Sequence, residues 1–231
     1  MPAMNRTAAA AGMHAREKQT PEQIVKWYKK SAEQGNPGAQ CYMGIMYRQG
    51  RNLPQNDELA CRWYRRAAVN GHAAAQCYLG IMYKHGRGVP QSDLEAVRWY
   101  RKAADQGNAN AQCFLGVMYR QGRGVEQSDG EAVKLWREAA KQGQPNSQCY
   151  LGVMCRQGRG TPQSDTEAAE WYGKAAAQGE PKAKQFLVVM ELSTPQAFKR
   201  EDKLGAFGGI FGRRSKSADD ARGAAPPDSS I

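Results

Sequence analysis

The chain has 231 residues, with 33 Lys and Arg against 22 Asp and Glu and a formal net charge of +11. No apolar run approaches the ~20 residues of a membrane-spanning helix, and residues 7–12 are too short and weakly apolar for a signal-peptide core. A spanning protein and a secreted precursor are thereby disfavoured, and a cytoplasmic chain is expected.

Residues 1–19, net +2, read as a disordered lead. Thr20 and Gln23, with Pro21 at the first helical position, open the first helix. From there the sequence repeats every 36 residues. Cys41-Tyr42-Met43-Gly44 returns as Cys77-Tyr78-Leu79-Gly80, Cys113-Phe114-Leu115-Gly116 and Cys149-Tyr150-Leu151-Gly152. A fixed period of this size denotes stacked supersecondary units, each burying its face on a neighbour, with no need of one closed core.

Each repeat carries the punctuation of two helices. The first ends at Gly50, Gly86, Gly122 or Gly158. A turn of about five to seven residues follows, and Ser92 with Glu95, Ser128 with Glu131 and Ser164 with Glu167 read as capping boxes of the second helix. Second helices stop before Gly35, Gly71, Gly107, Gly143 and Gly179, where a left-handed conformation costs least. The units are therefore antiparallel helix pairs: a half-unit at 20–35, four 36-residue repeats over 36–179, and a closing helix at 180–192 in which Val188 replaces the mid-helix glycine. Residues 193–231 read as a short helix followed by a disordered tail. The apolar stretch 205–212 beside Arg213, Arg214 and Lys216 allows weak contact with an anionic membrane.

Ala39, Met43, Met46 and Tyr47 form one stripe of a first helix, and Ala60, Trp63, Tyr64 and Ala67 one stripe of a second, so these are candidate core. Gly44, Gly80, Gly116 and Gly152 stand mid-helix, where glycine costs about 1 kcal/mol relative to alanine. Close approach of a neighbouring helix or a bulky aromatic is the expected reason.

Ala75, Leu79-Gly80, Tyr83, Gly86, Gly88-Val89, Asp93, Ala96, Trp99-Tyr100, Lys102-Ala103-Ala104 and Gln106-Gly107 resemble the Sel-one-like repeat family, relatives of tetratricopeptide repeats. The likeness covers about residues 20–190. It implies an all-α fold, a right-handed α-solenoid of stacked antiparallel helix pairs, whose members are mostly adaptors in bacterial signalling, envelope or host-interaction systems. Some secreted relatives staple each repeat with two cysteines. The matching positions here hold Ala32, Ala68, Ala104 and Ala140, and Gln40, Gln76, Gln112 and Gln148, so the resemblance implies no such staple.

Cys41, Cys77, Cys113 and Cys149 form a linear ladder at the ~8–10 Å spacing of packed helices. That spacing suits neither disulfides nor a tetrahedral metal site. They read as small half-buried side chains, and Cys61 and Cys155 as packing substitutions. Cys41, Ile45 and Arg48 fall on one stripe outside the predicted core, with Tyr42 beside it. Stacking extends this stripe into a ladder of Tyr42, Tyr78, Phe114 and Tyr150 alongside Arg48, Lys84, Arg120 and Arg156. First helices line the concave surface in this architecture, so the ladder is the candidate site for an acidic peptide or helix. The competing reading makes the rings packing residues and the cations solvated. Arg51, Arg87, Arg123 and Arg159 recur in the turns, where capping the preceding helix's carbonyls is favoured over binding phosphate or carboxylate.

Catalysis finds no support. The three histidines, His14, His72 and His85, lack metal spacing, and no nucleophile elbow or phosphate loop occurs. The expectation is a monomeric, non-enzymatic scaffold without cofactor or metal. The alternative is a basic solenoid for nucleic acid or an anionic surface, since residues 20–190 carry net +8. Interspersed acids, 15 against 23 basic residues in that span, argue against the alternative.

Overall fold

The computed structural model describes residues 20–192. The expected lead at 1–19 and the expected helix and tail at 193–231 lie outside the described residues. Ten α-helices fill the described part: α1 Pro21–Glu33, α2 Pro37–Gln49, α3 Asp57–Val69, α4 Ala73–His85, α5 Asp93–Asp105, α6 Ala109–Gln121, α7 Asp129–Lys141, α8 Pro145–Gln157, α9 Asp165–Ala177 and α10 Pro181–Leu192. Among the described residues no strand occurs. The even-numbered helices are first helices of the repeats and the odd-numbered ones second helices. Among the described residues a division between two units falls after Leu187, within α10.

Local chemistry sets the boundaries. Second helices begin where the Oγ of Ser92, Ser128 and Ser164 accepts from the N–H of Glu95, Glu131 and Glu167 at 3.2, 3.2 and 3.1 Å. Among the described residues the full reciprocal box occurs only at Thr20 and Gln23. Elsewhere it is half a box, because cations within reach take the glutamates: Glu95 pairs with Arg98, Glu131 with Lys134 and Glu167 with Arg137. First helices end on Gly50, Gly86, Gly122 and Gly158 with φ between 63° and 66°, the left-handed cap that spares an L side chain its clash. The next turn is tied back, since the N–H of Asn56, Ser92, Ser128 and Ser164 donates to the carbonyl of Tyr47, Tyr83, Tyr119 and Cys155.

Packing follows the helix order: α3, α5, α7 and α9 each lie against the first helix of their own repeat, and α1, α3, α5 and α7 against the first helix of the next. Tyr64, Tyr100, Trp136 and Tyr172 are fully buried at the centres of these contacts. They explain the mid-helix glycines. A Cβ built on Gly44, Gly80, Gly116 or Gly152 would stand 2.5–2.6 Å from the facing ring. The glycine is therefore a socket for the aromatic of its own repeat's second helix.

A polar ladder runs beside this apolar one. Gln40, Gln76, Gln112 and Gln148 are buried, and each donates through Nε2 to the carbonyl of Ala32, Ala68, Ala104 or Ala140 at 3.0–3.4 Å. Their Oε1 atoms accept from the side-chain amides of Asn70, Gln106, Gln142 and Gln178, 30 residues onward. The two positions that hold a cysteine pair in stapled relatives are thus joined here by a hydrogen bond.

Two expectations need correction. The ladder cysteines are not half-buried on a free stripe: Cys41, Cys77, Cys113 and Cys149 are 4, 4, 2 and 7% exposed. Cys41 packs among Ala60, Tyr64, Leu79 and Met82, because the first helix is flanked by its own second helix and the next first helix. All six cysteines are free. The turn arginines also behave otherwise than expected. Arg123 and Arg159 form two-pronged bonds with Asp93 and Asp129, the first residues of the preceding repeats' second helices. Only their backbone N–H groups cap carbonyls, those of Met118 and Met154.

Candidate interaction face

The first-helix ladder lies partly open. Tyr42, Tyr78, Phe114 and Tyr150 are all half-buried, one side of each ring resting on an aromatic of the preceding second helix. Centroid separations are 4.2 Å for Tyr28–Tyr42, 5.2 Å for Tyr64–Tyr78, 5.5 Å for Tyr100–Phe114 and 4.9 Å for Trp136–Tyr150. Tyr172 and Phe186 continue the series at 5.0 Å, a rung absent from the expected ladder. The rings therefore contribute to repeat packing whatever else they do.

Arg48, Lys84, Arg120 and Arg156 are likewise half-buried, and none forms an ion pair among the described residues. The Arg48 guanidinium lies 5.1 Å from the Tyr78 ring centroid, bridging one rung to the next. Burial, reinforced by the nearby Arg123 guanidinium, lowers the pKa of Lys84 below the ordinary lysine value. Burial raises that of Tyr150, with Arg120 opposing.

Two cavities open along this face. One, of about 240 Å³, lies between α4 and α6 and is lined by Cys77, Tyr78, Ile81, Asn108, Asn110 and Phe114. The other, of about 170 Å³, lies between α8 and α10, with Tyr150, Val153 and Phe186 as apolar walls and Arg120, Glu180 and Lys182 at its charged margin. The structure thus brings Tyr78 together with Phe114, and Arg120 with Tyr150, whereas Tyr42, Arg48, Lys84 and Arg156 line neither cavity.

Sequence reading missed a third cavity, about 610 Å³, between α3 and the turn bearing Gly88 and Val89. Arg62, Arg65 and Arg66 line it. Arg65 donates to the Tyr83 hydroxyl at 2.7 Å and Arg66 lies 4.9 Å from the Trp63 ring centroid, so both are engaged with the helix surface. The legible signal was Leu59, which stands where later repeats place the glutamate that pairs with the cation three residues on. Among the described residues no cluster of His, Cys, Asp and Glu could hold a metal ion, and no helix is long and apolar enough to cross a membrane.

The profile of the family described as Sel1 repeat matches residues 25–36, 37–72, 73–108, 109–144 and 145–180. The chain belongs to the Sel1 repeat family. The solenoid expected from the sequence is its fold, and Sel1 repeats are generally non-catalytic scaffolds that bind proteins. Among solved structures, a Sel1 repeat protein from Oxalobacter formigenes is 30% identical with a TM-score of 0.72, over 89% of this chain and 85% of that one. A protective antigen present in uropathogenic Escherichia coli strains, also of this repeat fold, is 40% identical with a TM-score of 0.70. That match covers 73% of this chain but only 36% of the antigen. An immunity protein from Pseudomonas aeruginosa, at 23% identity and a TM-score of 0.52, shares the fold over 80% of this chain and 70% of its own. No curated protein matches the chain.

Proposed function

We propose that this Sel1 repeat chain is a cytoplasmic, monomeric adaptor, without chemistry of its own, that holds a protein partner on its first-helix face. The observation that carries the reading is the conjunction on that face of side-chain-sized cavities, half-open aromatic rings and cations without carboxylate partners. Such a surface suits an acidic peptide or helix, whose carboxylates would find Arg48, Lys84, Arg120 and Arg156 unneutralised. The named relatives are bacterial, and a signalling, envelope or host-interaction setting fits them. The basic-surface alternative is weakened because many arginines are already committed within the chain, Arg123 to Asp93, Arg137 to Glu167 and Arg159 to Asp129.

The test compares the wild type with the double variant Lys84→Glu, Arg120→Glu in affinity capture from nuclease-treated lysate, followed by calorimetry with the purified partner. The expected outcome is one protein bound by the wild type and weakened at least tenfold by the variant, with the melting temperature unchanged. Capture of nucleic acid alone from untreated lysate, with affinity falling steeply as salt rises, would replace this reading with the anionic-surface one.

A further inference from the structure

The two cavities of the first-helix face share their apolar lining at equivalent positions, while their polar margins differ: Asn110 of the first corresponds to Lys182 of the second, and Asn146 of the second to Ala74 of the first. Cys77, Tyr78, Ile81 and Phe114 at the first correspond to Cys149, Tyr150, Val153 and Phe186 at the second, each displaced by 72 residues, or two repeats. At about 240 and 170 Å³ they fall below the ~300–1,000 Å³ of small-molecule sites, so each suits a single apolar side chain. Two aromatic rings from consecutive first helices wall each one. Polar groups stand at the margins. Asn110 lines the first cavity and Asn146 the second, and neither side chain makes a hydrogen bond within the protein.

We propose that this face reads an acidic segment of a partner protein in extended conformation, with apolar side chains six residues apart seated in the two cavities; the inference rests on the adaptor reading above. Three observations point to that ligand. Unpaired Arg48, 5.1 Å from the Tyr78 ring that walls the first cavity, and unpaired Arg120, which lines the second, call for carboxylates near the anchors. The free amides of Asn110 and Asn146 each offer donors and an acceptor, which match the open N–H and C=O groups of an extended backbone. A helical ligand has already satisfied its own.

The third is register. Neighbouring first helices of a stack lie about 10 Å apart, so cavities two repeats apart are separated by roughly 20 Å. An extended chain rises about 3.3 Å per residue and covers that in about six residues. Six is even, so both anchors project to the same side of the strand. A helix rising about 1.5 Å per residue would need about thirteen.

The experiment is selection of a displayed library of random 16-residue peptides on the full chain, then fluorescence polarisation with a synthetic peptide of the consensus. The expected consensus has two apolar positions six residues apart with Asp or Glu between them. Moving one anchor by a single residue is expected to weaken binding at least tenfold. Ile81→Arg and Val153→Arg, each obstructing one cavity, are expected to do the same. Because the register is read from the peptide, the result stands even if an obstructed variant folds poorly. Anchors about thirteen apart, anchors at helical spacing of three and four, or indifference to spacing would each overturn the proposal. If Lys84→Glu with Arg120→Glu abolishes binding of peptides that lack the six-residue register, the register fails and the adaptor reading survives. If the library yields no binder while lysate yields a protein partner, the extended-peptide inference alone fails. If neither yields a binder, both fall.

Discussion

A glycine inside a helix is normally a weakness, and here four of them are sockets. The ring atoms of Tyr100 stand 2.6 Å from where a Cβ on Gly80 would lie, with the Ala96 carbonyl also close at 3.2 Å. Gly80→Ala therefore gains helix propensity and loses more to overpacking. It is expected to destabilise by about 1–3 kcal/mol in urea unfolding, because the buried ring has no free volume to enter. Gly173, within α9, meets nothing within 4 Å. The same substitution there is expected to stabilise by about 0.5–1 kcal/mol. Equal signs at the two sites would refute the socket. The sequence could locate these glycines by their cost, and the facing ring was legible only as a class of explanation, since the partner lies 20 residues away.

At the scale of the helix and its turns, the second helices α5 and α7 are each fixed at their first residue by the following repeat. Arg123 holds Asp93 at 2.8 and 2.9 Å, and Gly124, at φ 68°, lies so close to the Asp93 backbone that a Cβ would stand 2.5 Å from it. Arg51 occupies the same place in the first turn, but position 21 before it is Pro, not Asp. Arg123→Ala is expected to cost about 1 kcal/mol, discounted for a pair about one-third exposed, while Arg51→Ala stays within about 0.5 kcal/mol. Thermal denaturation of the two variants side by side decides it. Caps, helix limits and the 36-residue period were legible because their causes lie within a few residues of one another. The arginine partners were not, since a bond spanning 30 residues leaves no local pattern. Nor was the diversion of Glu95 to Arg98, where the N-cap N–H of Ser92 and a cation one turn on compete for the Glu95 carboxylate. The candidate site was half legible: the rung positions repeat visibly, but that each ring also packs on a second-helix aromatic appears only once the repeats are stacked.

Across the whole array the ladder cysteines share one environment and so respond together. Burial raises Cys41 and Cys113 from the ordinary 9.0 to about 11, and Cys77 to about 12. Their folded-state values exceed the unfolded one, so the stability they contribute is intact below pH 9 and is lost as pH rises through about 11 to 12. Unfolding free energy measured by denaturant titration is expected to fall from pH 9 upward. Replacing Cys41, Cys77 and Cys113 together by Ala should flatten that decline, and native thiols should resist alkylation at pH 8. A decline of equal slope in the triple variant would assign the effect elsewhere.

The inter-repeat bonds have a further property: each is defined by a difference in position, not by a place in the chain. Gln106 reaches Gln76, Gln142 reaches Gln112 and Gln178 reaches Gln148, always across 30 residues. Unequal crossing-over between the near-identical stretches around Cys77 and Cys113 would add or remove 36 residues and leave every such bond with a partner of the same kind. A product longer or shorter by one whole repeat would keep these bonds in register, so the reach of the face is a quantity that changes in steps of 36 residues.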